Sequence, residues 1–317
     1  ANTITLFGDG SFVSGGMTLN DAQSKLLLNS ITLDSASTSA NNSGVDVDET
    51  STVTSLTVGH ITPVSIAAGK TLSGAVTVTA GSIKLDETGT LASTVTMGGG
   101  IFDADETLTL SGALSHTANI TIDVANNKIL TYSGTAINVG ANTITLSGGG
   151  SLVSGGMTLN DTQSKLLLNS IILDSASTSA NSLGVDVDES STITTLSVGH
   201  ITPVSIKANK NLSGSITVTA GSIKLGETGT LASAVTMSGG TLEADNNLTL
   251  SGALSQSGNI TIAVAENKTL SYSGAAVNLG AKNLTMSGKG TFNNTNALVL
   301  NNASSKLLHS NTGTVGS

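Results

Sequence analysis

The sequence predicts an all-β chain wound into a parallel β-helix: a right-handed β-solenoid of short strands with about 20 residues per coil. Three observations carry this. The repeat is tandem and directional: ANTITLFGDGSFVSGGMTLNDAQSKLLLNS opens at Ala1 and ANTITLSGGGSLVSGGMTLNDTQSKLLLNS opens at Ala141. The core candidates are Val, Ile, Leu and Ala, with aromatics at only 2%, whereas a sandwich needs larger side chains to fill about 10 Å between its sheets. Finally, the inner rhythm suits three short strands and three corners per coil.

The elements follow in order. The 140-residue offset runs without a gap through residue 280, and a third copy begins at Ala281 and stops partway. Residues 1–317 therefore read as one continuous solenoid with sequence repeats 1–140, 141–280 and 281–317. Inside one copy a Leu-Thr-x-Ser-Gly phrase returns, as at Thr107–Gly112 and Thr143–Gly148, and seven turns of about 20 residues would complete the copy. Thr3–Leu6, Thr52–Thr54, Ala75–Thr79, Ser82–Leu85 and Asn119–Val124 alternate apolar with Thr, Ser or charge, the pattern of strands with one face buried. Gly, Asn, Asp and Ser separate them, as residues that turn the backbone do. No stretch has helical apolar spacing over three turns. Stacked at about 4.8 Å, sixteen coils would span roughly 75 Å.

Differences between the copies sort slots. Val53/Ile193, Val76/Ile216, Phe12/Leu152 and Val139/Leu279 exchange apolar residues and read as core. Ala67/Lys207, Asp86/Gly226, Glu106/Asn246 and His116/Gln256 exchange freely and read as surface.

Composition excludes several classes. Charged residues are 10%, the net charge is −9, and Arg is absent, so no phosphate-gripping patch is expected and nucleic acid is not an expected partner. No apolar run reaches the roughly 18–20 residues of a transmembrane helix, so no transmembrane segment is expected. Zero Cys excludes disulfides, Cys-ligated zinc and thiol catalysis. Few charges suit a solenoid, because like charges stacked on neighbouring strands repel while Thr and Asn bond along the ladder. Neither end carries a cap, so a longer native protein is expected.

The Leu-Thr-x-Ser-Gly and Thr-Val-Thr-x-x-Gly-Ser-Ile phrases resemble those of bacterial β-strand-repeat surface proteins, namely autotransporter passengers and large repeat adhesins. The resemblance spans the chain and is one of rhythm and composition. It implies export, a parallel β-helix and a stalk, adhesin or surface-layer role. It defines no functional residue.

The chemistry-bearing candidates are sparse. Asp46 and Asp48 in Gly44-Val-Asp-Val-Asp-Glu49 recur as Asp186 and Asp188. At i and i+2 of a strand two carboxylates share a face, a pairing that suits calcium; the competing reading is a solvated strand face. His60 and His200, in Val-Gly-His-Ile-Thr-Pro, read as corner residues. No Gly-x-Ser-x-Gly elbow with a strand before it and a helix after it is present. Thr-x-Thr pairs occur at Thr3/Thr5, Thr52/Thr54, Thr77/Thr79, Thr94/Thr96 and Thr107/Thr109; their uneven spacing is expected to scatter them over different faces.

The expected function is structural and adhesive: an extracellular, cell-surface segment of a long secreted protein, acting as a rigid stalk, filament or surface-layer component. It is not expected to be an enzyme or to need a cofactor, calcium being the one candidate. Lateral or end-to-end self-association and a cell-surface or glycan ligand are the expected contacts. The alternatives are a polysaccharide-acting β-helix enzyme and an ice-binding segment.

Overall fold

The computed structural model describes residues 2–309 and 314–316, the last three through their backbone alone. The described residues are all strand, turn and bend, with no helix. The chain divides into two compact units, Ala1–Ile137 with Asn142–Gly155, and Asn138–Ala141 with Gly156–Ser317.

In the first unit one sheet takes a single short strand from each coil. Its order is Thr3–Phe7, Lys25–Asn29, Gly44–Val47, Thr62–Ile66, Ser82–Leu85, Ile101–Ala104, Ile120–Val124 and Thr143–Ser147. Every neighbouring pair is parallel. In the second unit the corresponding sheet runs Lys165–Asn169, Gly184–Glu189, Thr202–Ile206, Ser222–Leu225, Thr241–Ala244, Ile260–Val264, Asn283–Gly288 and Lys306–His309, again all parallel. Each unit is a parallel β-solenoid, and seven coils make one 140-residue copy, as the sequence rhythm predicts.

The second sheet of each unit is bent. Ser51–Val58 is one strand whose burial alternates, then shows two exposed neighbours, Thr54 and Ser55, then alternates again. Two successive outward residues reverse the phase of a period-2 pattern, so the strand turns a corner there and keeps apolar residues inward on both sides. In other coils the same path is split, as in Thr90–Leu91 and Thr94–Met97. Three faces and three corners per coil result.

The core consists of columns of stacked aliphatic side chains. Ile4, Leu26, Val45, Val64, Leu85, Ala104 and Val124 are successive partners on the first sheet. Leu56, Val76, Val95 and Leu114 form another on the second. Beyond the first coil these side chains are buried, each Val, Leu or Ile worth roughly 1.5–3 kcal/mol relative to exposure. Val53, Ile193, Val76, Ile216, Val139 and Leu279 are core, as their exchange pattern predicts. Phe12 differs: it is 41% exposed against 1% for Leu152, because Leu152 packs under Leu130 of the preceding coil. Glu106, Asn246, His116, Gln256, Asp86 and Gly226 are all half-buried rather than free.

Coil length varies while stacking holds. Partners on the first sheet lie 19 residues apart at Leu26/Val45 and 24 apart at Ile122/Leu146. The corners absorb the difference: Asn127, in the longer coil, stands at φ 61, a left-handed conformation that Asn tolerates.

Gly74 and Gly214 are required at the bend. The register skips Thr54, so that Val53 faces Gly74 and Ser55 faces Ala75. At φ +114 a Cβ on Gly74 would stand 1.8 Å from the Val53 carbonyl oxygen, and Gly214 meets Ile193 in the same way. Gly74→Ala should therefore cost more than about 1 kcal/mol in urea unfolding of the full chain. Gly10→Ala, where a Cβ meets nothing, should leave the midpoint unchanged.

Candidate functional site

Charge lies mostly on one side of each coil. Among the described residues, strands of the first sheet and the corners bounding it carry every Lys. Within strands of the second sheet the only acidic residues are Asp34 and Asp174, at the bend. Asp34 accepts from the Ser14 amide and hydroxyl and from the Gly15 amide, and the Ser14 amide bond leads in holding its carboxyl below the ordinary range.

Opposite charges stack one coil apart. Lys70 Nζ meets Glu49 Oε2 at 2.5 Å, Lys128 meets Glu106 at 2.6 Å and Lys210 meets Glu189 at 2.5 Å. These pairs are about a third to a half exposed and contribute little energy singly. They remove the repulsion that a column of like charges would create.

Asp46 points outward from Gly44–Val47 and is ion-paired with Lys25 of the coil before it. Asp186 is paired with Lys165 in the same way. Hydrogen bonding to Asp46 raises the Lys25 ammonium above its ordinary value. Asp48 follows the strand and is exposed, while Asp188 lies 3.8 Å from Lys207 Nζ. Among the described residues no group of three or more His, Asp or Glu side chains is arranged to hold a metal ion. His60 and His200 are exposed at corners, each carbonyl accepting from the hydroxyl of Thr62 or Thr202.

The densest charge cluster was not legible as a cluster in the sequence. Asp103 on Ile101–Ala104 is the Cα partner of Lys84 on one side and of Asp123 on the other. Lys84 Nζ lies 2.6 Å from Asp105 and 3.8 Å from Asp103. Ser147 donates to Asp123, and Ser65 donates to Asp86 at 2.6 Å. Burial, with the Asp105 charge next, pushes the Asp103 carboxyl up to about 6, against the pull of Lys84. In the second copy Asp86 and Asp123 become Gly226 and Ala263, and Lys224 meets Glu243 at 3.0 Å. Nineteen- and twenty-residue offsets separate Lys84, Asp103 and Asp123, so only knowledge of each coil's length would have stacked them.

The second sheet bears the opposite surface. On the half beyond the bend, Thr18, Ser37, Thr57, Thr77, Thr96 and Ser115 are successive Cα partners. The second unit repeats the column as Thr158, Ser177, Ser197, Thr217, Thr236 and Ser255. Hydroxyls bond along it, Thr18 with Ser37 at 3.2 Å and Thr236 with Ser255 at 3.0 Å. Two residues away on the same face lies a second column, Ser35, Ser55, Ala75 and Thr94. The Thr-x-Thr pairs do scatter over faces and corners. The hydroxyls that align belong to different pairs.

A cleft of about 340 Å3 opens beside the first coil, lined by Asn2, Ile4, Met17, Leu19, Lys25 and Leu26. It is an uncovered coil face, since Ile144 and Leu146, the counterparts of Ile4 and Leu6, are fully buried under Ile120 and Ile122. No helix of the described residues is long and apolar enough to cross a membrane.

In comparison with known proteins the chain matches no family model, no curated protein and no solved structure.

The Asp103 carboxyl generates a pH prediction. Its folded value lies above the ordinary 3.8, so the folded state binds the proton more tightly and gains stability as pH falls from about 6 toward 4. Above about pH 6 that contribution is lost. Asp103→Asn should therefore raise the melting temperature at pH 7 and flatten its change between pH 4 and 7, read by thermal circular dichroism on both proteins.

Proposed function

We propose that this chain is a structural and adhesive segment of an extracellular cell-surface protein, of the kind found in bacterial β-strand-repeat stalks and adhesins. The observation that carries this reading is the stacking itself. Aliphatic columns and backbone ladders run through each unit, and the outward positions of the second sheet beyond the bend are spent mainly on small hydroxylated residues. Such a body resists deformation along its ladders and presents repeated faces, the properties a stalk or surface layer uses. Lateral association through those faces, or end-to-end stacking of coils, would extend it, and a glycan or cell-surface ligand would be met by repeated weak contacts rather than by one pocket.

A polysaccharide-acting enzyme is the rival reading, favoured only by the Asp86, Asp103, Asp105 and Asp123 cluster near Lys84. The purified chain should release no unsaturated or reducing ends from uronic-acid polymers. Turnover that Asp103→Asn or Asp105→Asn abolishes would overturn the structural reading. Intact cells carrying the gene should also be labelled by antibody to this segment without permeabilisation; labelling only after lysis would refute a surface location.

A further inference from the structure

The half of the second sheet beyond the bend is built as an in-register lattice. Along the coils its hydroxyl columns repeat at about 4.8 Å, and across each strand every second residue repeats at about 6.6 Å. Thr and Ser fill the main column in both units. Thr is restricted at χ1 and the backbone of every slot is held by neighbouring coils, so side-chain positions are narrowed before any contact is made.

Two further observations limit what could contact this face. The columns contain no charged and no aromatic residue, which leaves nothing to neutralise an ionic partner and nothing to stack on a sugar ring. Where the copies differ there, the slots stay small and neutral: Ser55/Thr195, Thr57/Ser197, Ala75/Ser215 and Thr94/Ala234. On the charged sheet the same drift changes charge, as at Asp86/Gly226 and Asp123/Ala263.

A soluble ligand would use one or two rungs of such an array, and single hydroxyl contacts are weak because water competes for them. Only a rigid solid with its own few-ångström periodicity meets many rungs at once, where linked weak contacts multiply. A neutral solid that both donates and accepts hydrogen bonds, without ions or sugar rings, is crystalline water. We propose that the face formed by the Thr57 and Ser55 columns, with its counterpart at Ser197 and Thr195, binds ice. This activity goes beyond the stalk reading and does not depend on it.

The test is made on the full chain. Nanolitre osmometry should show a gap between melting and freezing temperatures, with faceted ice crystals, and fluorescently labelled protein should be taken up by a growing single ice crystal. The pair Thr57→Lys with Thr217→Lys should at least halve that gap while the circular-dichroism spectrum is unchanged. Thr57→Val with Thr217→Val, which keeps the branched shape, should weaken it less. The pair Thr90→Lys with Thr230→Lys, on the other half of the bent sheet, should leave it intact. A folded, unmodified chain that neither shapes nor enters ice overturns the proposal. So does a gap lost only through the Thr90 and Thr230 pair, or retention on insoluble cellulose or chitin without any effect on ice.

Discussion

Every feature of this protein depends on the parallel ladder between successive coils. A strand with partners on both sides has its amides and carbonyls satisfied without help from side chains, as where Ala92 donates to Leu72 and Ser111 to Leu91. Once that ladder is set, each residue lies one strand spacing from the residue in the same slot of the next coil. What a slot tolerates is then decided by whether its occupant can live beside a near copy of itself. Val, Leu and Ile can, because identical branched side chains pack over one another. Thr and Ser can, because a hydroxyl both donates and accepts. Isolated carboxylates cannot.

That constraint accounts for the distribution of charge. Where acid stacks on base, as Glu49 under Lys70, the corner is electrically quiet. Where acid stacks on acid, as Asp103 against Asp123, the Asp103 carboxyl is held up at about 6 by burial first and the Asp105 charge next, with Asp123 adding a smaller push. The second copy has replaced Asp123 by Ala263 and Asp86 by Gly226, leaving Lys224 and Glu243 as a simple pair. The two copies thus show one scaffold with its electrostatic conflict present and relieved.

Corners give the scaffold its latitude. Strands of the first sheet stay within four to six residues, yet coils differ by several residues because turns at positions such as Asn127 take up the excess. The bend in the second sheet has less freedom. Gly74 and Gly214 sit where the neighbouring coil's carbonyl occupies the space of a side chain, so composition at that corner follows backbone proximity rather than turn propensity.

The sequence by itself determined the fold class, the seven-coil period and most inward residues, Phe12 excepted, and it predicted no long helix, as found among the described residues. Period-2 alternation and tandem repetition are local properties that any reader of the chain can see. It also placed Asp46 on the outward face of its strand, but not Asp48, which follows the strand end at Val47, nor the Lys25 that pairs with Asp46. Which outward residues become neighbours was decided only in three dimensions. Partners on adjacent coils stand 19 to 24 residues apart, and the offset is set by how many residues each corner consumes. The Lys84–Asp103–Asp123 stack and the Thr57–Thr77–Thr96 column both arise from that packing of corners, which no single stretch of sequence encodes.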